Sequence, residues 1–290
     1  MKKYLLLAII LLAAVLRFWQ LGKNPPSLYW DEVSLGYNAY SILKTAHDEH
    51  ARFLPLTNFA AFGDYKPPGY IYAAVPSIAI FNLTEFAVRF PSAFFGVLTV
   101  ALTYFLAKKL FGNENIALLS ALFLAISPWH LQFSRAAFEG NMALFFSVLG
   151  IYLFIKFATD KPYYILFSAL PFLIAMYTFT GQRLFVPFIL IVLLIQFRKQ
   201  ILENIKLVLV TAVITSFLFW PLFKFANLTI EGRLRFNEVT IFKDLKPIND
   251  SIRFRQKDNF SALFNIIHNR RVFFAHEYLI HYFDAFNPSF

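Results

Sequence analysis

The sequence predicts an all-α integral membrane protein, a fold class that both its composition and its long apolar runs indicate. Of 290 residues, 58% are hydrophobic and only 15% are charged, whereas soluble domains carry roughly 25% charged residues. Several apolar runs approach the roughly 20 residues that a helix needs to cross a bilayer. The net charge of +10 is spread around these runs and not gathered on one solvated face, so nucleic acid is not expected as a partner. The absence of cysteine excludes disulfides and thiolate catalysis.

We predict about seven transmembrane helices. The apolar runs lie near 4–19, 91–107, 116–131, 142–158, 163–179, 184–197 and 206–222. A shorter run, 70–81, has about 12 residues and is closer in length to an interfacial or re-entrant helix than to a span. The first run also resembles a secretory signal, but no small-x-small cleavage site follows it, so a retained helix is favoured.

The distribution of lysine and arginine orients the chain. If the N-terminus is cytoplasmic and 70–81 does not cross, most basic residues between the spans fall on the cytoplasmic side, as the positive-inside rule requires. The outer face then carries loop 20–90, the turns near 132–141 and 180–183, and tail 223–290. We therefore expect a multi-pass protein of the cell membrane whose functional site lies on the outer face.

Two regions follow from this topology. Residues 1–222 form the transmembrane module, and 223–290 form an outer-face lobe that looks incomplete at its last residues. Loop 20–90 is predicted to contain two amphipathic helices, Tyr29–Leu43 and 69–81, that lie flat on the outer leaflet.

The sequence Trp30-Asp31-Glu32 places two acids just past the first apolar helix. Carboxylates at a bilayer surface cost desolvation energy, which favours a functional role. On a helix start the two side chains point about 100° apart, so one can face a cleft while the other caps the helix or binds a cation. Simple helix capping by Asp31 is the alternative.

A lysine precedes two prolines in the sequence 64–69, Asp-Tyr-Lys-Pro-Pro-Gly. Proline is well tolerated in the first turn of a helix, so Pro67-Pro68 predicts a rigid helix start. Lys66 would then be a fixed cation at the membrane surface, suited to a phosphate group. Snorkelling of Lys66 to lipid headgroups is the alternative.

The short connection from Ser134 to Asn141 carries Arg135 and Glu139. Their spacing allows an i,i+4 ion pair, and their place at the mouth of a helix bundle also suits a sugar- or phosphate-binding edge. Arg183 lies in the next outer turn, where a topology or headgroup role is equally compatible with its position.

Taken together, these motifs resemble glycosyltransferase family 39 of the GT-C superfamily, with protein mannosyltransferases and lipid A aminoarabinose transferases as relatives. The matching features cover roughly residues 15–145 and occur in family order. They are Trp30-Asp31-Glu32, Lys66-Pro67-Pro68, Arg89-Phe90-Pro91-Ser92 and Ser134-Arg135 with Glu139.

The resemblance implies a GT-C-type helical bundle and a membrane glycosyltransferase. Such an enzyme would move a mannose- or pentose-like sugar from a polyprenyl-phosphate carrier to a lipid, glycan or protein acceptor on the outer face. Its partners would be membrane lipid, the lipid-linked donor and an unidentified acceptor. Aminoarabinose transferases have an acid where this chain has Tyr65, which argues against lipid A as acceptor. Family members are longer, so the chain looks truncated at its C-terminus.

The resemblance also assigns roles to individual residues. Asp31 would act as general base, with Glu32 beside it, and Lys66 would stabilise the leaving phosphate. One base and no second carboxylate placed as nucleophile predict inversion at the anomeric carbon. No cofactor is required, although Asp31, Glu32 and Glu139 could hold a divalent cation. The full set expected to contact donor phosphate or substrate is Lys66, Arg135, Glu139, Asn141, Arg183 and Tyr37.

The main alternative is a non-enzymatic polytopic membrane protein, either a transporter or a lipid-binding scaffold. A transporter should place ionisable residues at mid-bilayer on broken helices. The runs 91–107 and 163–179 contain no charged residue. The charges lie instead near one predicted surface, which favours chemistry on lipid-linked substrates.

Overall fold

A computed structural model describes residues 2–230, 232, 244–257 and 266–284. This part of the chain is mainly helical and includes one two-stranded sheet. Its elements are α1 (Lys2–Phe18), α2 (Trp30–Thr45), β1 (Phe59–Ala61), β2 (Asp64–Lys66), α3 (Pro68–Phe81), α4 (Glu85–Phe111), α5 (Glu114–Ile126), α6 (Pro128–Arg135), α7 (Glu139–Thr159), α8 (Tyr164–Thr178), α9 (Gln182–Gln196), α10 (Arg198–Glu203), α11 (Ile205–Leu228), α12 (Lys246–Lys257) and α13 (Arg270–Asp284). The predicted all-α membrane fold is confirmed.

Three helices of the described chain, α4, α7 and α11, are long and apolar enough to cross a membrane, with 27, 21 and 24 residues. The pair α5 and α6 also qualifies if it is counted as one bent span, and α3, α8 and α9 are shorter apolar helices. All seven predicted apolar runs are helical over most of their length. The number of crossings stays a prediction.

Helix α4 is the centre of the bundle, and α1, α3, α5 and α7 pack against it. Its start is fixed by Thr84, whose hydroxyl accepts a hydrogen bond from the Ala87 amide. Lys108 and Lys109 lie in its last turn, where cations complement the helix dipole. Gly112 ends the helix with a φ of 64°, a left-handed conformation that glycine adopts without strain.

The run 116–131, predicted as one span, consists of two helices that meet at an angle of 56° and together are long and apolar enough to count as one bent span. The break falls at Ser127, whose hydroxyl accepts from the His130 amide, and at Pro128, the first residue of α6. Proline has no amide hydrogen to continue the α5 ladder, so the carbonyls before it need other donors. The buried guanidinium of Arg17 supplies them, donating to the carbonyls of Ala125 at 3.1 Å and Leu124 at 3.3 Å.

Loop 20–90 forms a compact layer on the bundle. Its two predicted helices are present as α2 and α3, and Pro67 and Pro68 open α3 as expected. The buried face of helix α2 is partly polar, because it includes Ser34 and Asn38 together with Leu35. Helix α3 packs against α2, α4 and α8. Contact of this layer with the outer leaflet stays a prediction.

The chain divides into two compact units, residues 1–225 and 226–290. In the described part of the second unit, α12 and α13 pack together. Ser251 is buried there and donates to the His268 carbonyl at 2.5 Å, while Lys246 pairs with Glu277 at 2.9 Å. Residues 287–290, at which the sequence predicted an incomplete lobe, lie outside the described residues.

Candidate functional site

The side chains of Asp31 and Lys66 meet in an ion pair at the edge of this layer. Asp31 lies in the first turn of α2, and Lys66 is the last residue of β2, directly before the proline-led start of α3. The Lys66 Nζ is 2.8 Å from Asp31 Oδ1 and 3.3 Å from Asp64 Oδ2. Both side chains are largely shielded, with 13% of Lys66 and 25% of Asp31 exposed.

Lys66 reaches this position because β1 and β2 form a hairpin. Phe59 pairs with Lys66 and Ala61 pairs with Asp64, which leaves a two-residue turn. Both turn residues have positive φ, 52° at Phe62 and 80° at Gly63. Two-residue hairpin turns of this hand match the right-handed twist of the strands. The hairpin was not predicted, since strands of three residues show no clear alternation.

Glu32 points away from Asp31 and into the protein. Its carboxylate pairs with Arg89, with both Nε–Oε1 and Nη2–Oε2 distances at 2.9 Å. It also accepts from the amides of Ala137 at 2.8 Å and Tyr29 at 3.1 Å. Burial raises the pKa of Glu32, but these hydrogen bonds and the Arg89 charge outweigh it, so its pKa is lowered. Glu32 therefore caps α2 and ties it to α4.

Arg89 anchors the chain that leads to the acidic pair. Besides Glu32, its guanidinium donates to the carbonyls of Leu21 at 3.2 Å, Pro25 at 2.7 Å and Ser27 at 2.6 Å. Arg89 is fully buried. The sequence indicated Arg89 only as part of a family motif and gave no sign of these partners. These contacts of Arg89 fix where α2 begins, and thus the direction of the Asp31 side chain.

The immediate surroundings of the Asp31–Lys66 pair are charged and polar. The Tyr29 hydroxyl donates to Asp31 Oδ2 at 2.5 Å, and this bond raises the Tyr29 pKa. Burial lowers the pKa of Lys66, but the bond with Asp31 and the negative charges of Glu139, Asp31 and Asp64 outweigh burial and raise it. Lys66 is therefore a firmly held cation. Asp64 and Tyr29 were not predicted as site residues.

Glu139 begins α7 and acts electrostatically on Lys66. Its Oε1 atom is buried and has no hydrogen-bond partner in the structure. A buried carboxylate oxygen without a partner costs free energy, so it is a candidate to accept a hydrogen bond from a bound molecule.

Arg135 lies at the end of α6 and donates to backbone carbonyls, at 2.7 Å to Leu16, 2.8 Å to Trp19 and 2.7 Å to Asn24. It thereby holds the end of α1 and the chain segment that follows it. The alternative i,i+4 ion pair with Glu139 is wrong for these residues, because α6 ends at Arg135 and α7 starts only at Glu139, so no helix spans both.

The other predicted contact residues lie in different surroundings. Asn141 is buried, and its amide donates to the Ser92 carbonyl at 2.8 Å, which joins α7 to α4. Arg183 lies in the first turn of α9 with its Nε 3.5 Å from the Met176 carbonyl. Tyr37 is half exposed on α2. Their contacts with substrate stay predictions.

The described residues contain no group of three or more His, Asp or Glu side chains arranged to hold a metal ion. Both Glu32 oxygens already accept two hydrogen bonds each. A divalent cation held by Asp31, Glu32 and Glu139 was a prediction and stays one.

Comparison with known proteins identifies relatives over most of the chain. Residues 7–219 match the sequence profile of the family described as dolichyl-phosphate-mannose-protein mannosyltransferase. An uncharacterized protein of Aquifex aeolicus is 33% identical over 172 residues, which cover 59% of this chain and 32% of that protein. Dolichyl-phosphooligosaccharide-protein glycotransferase 2 of Pyrococcus furiosus is 36% identical over 118 residues, 39% of this chain and 15% of that protein.

The fold is also shared with a solved structure, that of ArnT from Cupriavidus metallidurans in the apo state. The TM-score is 0.59 at 16% sequence identity, and the match covers 75% of this chain and 40% of ArnT. This likeness confirms the GT-C-type bundle. The chain spans a third or less of the length of the curated relatives that it matches.

Proposed function

We propose that this chain transfers a sugar from a polyprenyl-phosphate carrier to an acceptor hydroxyl. The chain belongs to the dolichyl-phosphate-mannose-protein mannosyltransferase family. One observation carries the proposal, namely the shielded ion pair between Asp31 and Lys66. It places a carboxylate that can take a proton beside a cation that can bind a phosphate. The sugar is mannose- or pentose-like, and the site faces the non-cytoplasmic side of the cell membrane.

In this reaction the acceptor oxygen attacks the anomeric carbon as the bond from that carbon to the phosphate oxygen breaks. The phosphate leaves with the bonding electron pair, and the acceptor proton passes to Asp31. A direct displacement of this kind inverts the anomeric carbon. Tyr29 supports the step, since its hydroxyl orients the carboxylate of Asp31.

Lys66 serves the leaving group. An ammonium group has three donors, so it can bind a phosphate oxygen while it keeps its contact with Asp31. Negative charge grows on the phosphate as the bond breaks, and a fixed cation in a shielded site stabilises that charge more than water does. The raised pKa of Lys66 keeps it protonated throughout.

The two neighbouring acids have different parts in this proposal. Glu32 gives all its hydrogen-bonding capacity to Arg89 and two backbone amides, so it is a positioning residue that fixes the start of α2. Glu139 offers its unpartnered Oε1 to a sugar hydroxyl. Arg183 is a second candidate for the phosphate, and Arg135 holds the end of α1 and the segment that follows it.

The test uses the full 290-residue chain in nanodiscs with decaprenyl-phosphate mannose or decaprenyl-phosphate aminoarabinose as donor. Membrane extract supplies acceptor, and both sugar transfer and hydrolysis of the donor are measured. Asp31→Asn is expected to abolish transfer while insertion and thermal stability persist. The matched control is Asp160→Asn, an exposed acid at the other end of α7, which should keep full activity. Full transfer by Asp31→Asn would remove the proposed base.

A further inference from the structure

Three aromatic side chains beside the Asp31–Lys66 pair are exposed. Trp30 is 57% exposed, Phe62 at the hairpin turn is 65% exposed, and Tyr29 is 50% exposed. The rings of Trp30 and Phe62 are stacked, with centroids 5.7 Å apart and an interplanar angle of 25°. Tyr29 meets Trp30 edge-on at 6.1 Å. We call Trp30 and Phe62 the aromatic platform.

Phe62 holds its place at a conformational cost. Its φ of 52° lies in the left-handed region, where glycine or asparagine is normally found and a bulky residue is unusual. Gly63 follows with the same sign of φ. Strained backbone of this kind concentrates at functional sites, where a residue is kept for its part in binding or catalysis despite an unfavourable φ.

We propose that the aromatic platform binds a sugar ring of the acceptor, so that the acceptor ends in a sugar and is not a bare serine or threonine side chain. This inference rests on the proposed function. The negative face of an aromatic ring attracts groups of partial positive charge, and the C–H bonds on the apolar face of a sugar are such groups. The carboxylate of Asp31, which already contacts Lys66 and Tyr29, lies next to the platform and is a polar group that the hydroxyls of the same ring can approach.

The position of Phe62 assigns the platform to the acceptor. Lys66, which would hold the donor phosphate, pairs with Phe59 at the open end of the hairpin, whereas Phe62 follows Ala61 at the closed end. Strands advance about 3.3 Å per residue, so the two sites are separated by about 7 Å or more along the hairpin. The turn that carries Phe62 is therefore offset along the hairpin from the cation that would hold the donor phosphate, as expected of an acceptor site.

Exposed aromatic residues near a membrane could also insert into lipid. Here the Tyr29 hydroxyl donates to Asp31, and Lys66, Asp31 and Asp64 lie next to the cluster. Burying the platform in hydrocarbon would move these charged groups toward the hydrocarbon, and their desolvation costs free energy. The surroundings favour a polar, stackable ligand over an acyl chain.

Binding is tested directly and without donor. The chain has four tryptophans, so a form with Trp19, Trp129 and Trp220 replaced by phenylalanine reports on Trp30 alone. Its fluorescence in nanodiscs is titrated with methyl α-D-mannoside, methyl β-D-galactoside and α-1,6-mannobiose up to about 50 mM, above the millimolar dissociation constant that a weak single-ring contact gives. A saturable change with at least one sugar is expected.

Two variants separate stacking from fold. Stacked aromatic contacts contribute about 0.5–1.5 kcal/mol beyond area burial, so Phe62→Ala should weaken sugar binding about two- to tenfold. Phe62→Asn should weaken binding equally but raise the thermal unfolding temperature, because asparagine tolerates the left-handed conformation. A ring with a purely structural role would lower stability in both variants.

The outcomes are distinct. The inference fails if no sugar produces a saturable change in Trp30 fluorescence. It also fails if brominated lipids quench Trp30 and no sugar does, because the platform then contacts lipid. Sugar binding that persists in Asp31→Asn supports the platform independently of the reaction. Transfer activity without sugar binding would overturn the platform alone and leave the proposed function standing.

Discussion

The buried ion pair between Arg89 and Glu32 gives the most direct test of how the site is built. Arg89 is completely buried and only 4% of the Glu32 side chain is exposed. Replacing Arg89 by methionine removes one partner and leaves a carboxylate without its counter-ion. Breaking a buried pair in this way costs about 3–5 kcal/mol. Arg89→Met should therefore unfold at a much lower denaturant concentration than the natural protein.

A double variant sharpens this prediction. An ordinary buried pair can be replaced by two apolar residues with little loss of stability. Here the second replacement, Glu32→Met, also removes the acceptor of the Tyr29 and Ala137 amides. The buried Ala137 amide left without a partner costs about 1–3 kcal/mol, and three backbone carbonyls lose the Arg89 donor, so the double variant should remain at least about 1–3 kcal/mol less stable than the natural protein.

Stability is measured by equilibrium unfolding with sodium dodecyl sulfate in mixed micelles, with circular dichroism as signal. The control is Arg198→Met, an arginine exposed at the start of α10, expected within about 0.5 kcal/mol of the natural protein. An Arg89→Met variant as stable as this control would refute a buried pair. A double variant with natural stability would refute the contribution of the backbone hydrogen bonds that Glu32 and Arg89 make.

Two further predictions concern charge. Lys66→Ala should lower the rate of transfer about 10²–10³-fold and Lys66→Arg should restore part of it, as measured by initial rates against donor concentration, and an unchanged rate would contradict the phosphate role. The pKa of Glu32 is lowered by Arg89 and two amides from its ordinary value of 4.5, so the stability that Glu32 contributes is complete above that pH and is lost as the pH falls through the lowered pKa. Unfolding of Glu32→Gln across this acidic range should lack that part of the pH dependence, and an unchanged pH dependence would contradict the prediction.

Much of the fold follows from local sequence. Apolar runs predicted the helices because burial in lipid or protein requires long stretches without charge, and Pro67-Pro68 predicted the start of α3 because proline fits a first helical turn. The bend between α5 and α6 has a signal of the same kind in Pro128, because a proline interrupts the hydrogen-bond ladder of the helix before it. Such signals act over a few residues, which is why one sequence reveals them.

The site depends on contacts that span long stretches of chain. Arg17 reaches His130 at 2.6 Å across 113 residues, and Arg89 reaches Glu32 across 57. Neither pair has a local pattern, because its two residues lie too far apart in the sequence for any spacing rule to connect them. Only the packing of α1 and α2 against the rest of the bundle decides which charges meet.

The acidic pair shows why this matters for chemistry. A helix start separates Asp31 and Glu32 by about 100°, so only one of them can face the protein interior. Arg89 determines which, because a carboxylate stabilises its buried guanidinium and Glu32 lies on its side of α2. Asp31 is then left on the side of Lys66 and Tyr29, shielded but still reachable. The ion pair with Arg89 and the hydrogen bonds from the Tyr29 and Ala137 amides thus make Glu32 the structural acid and leave Asp31 as the proposed base.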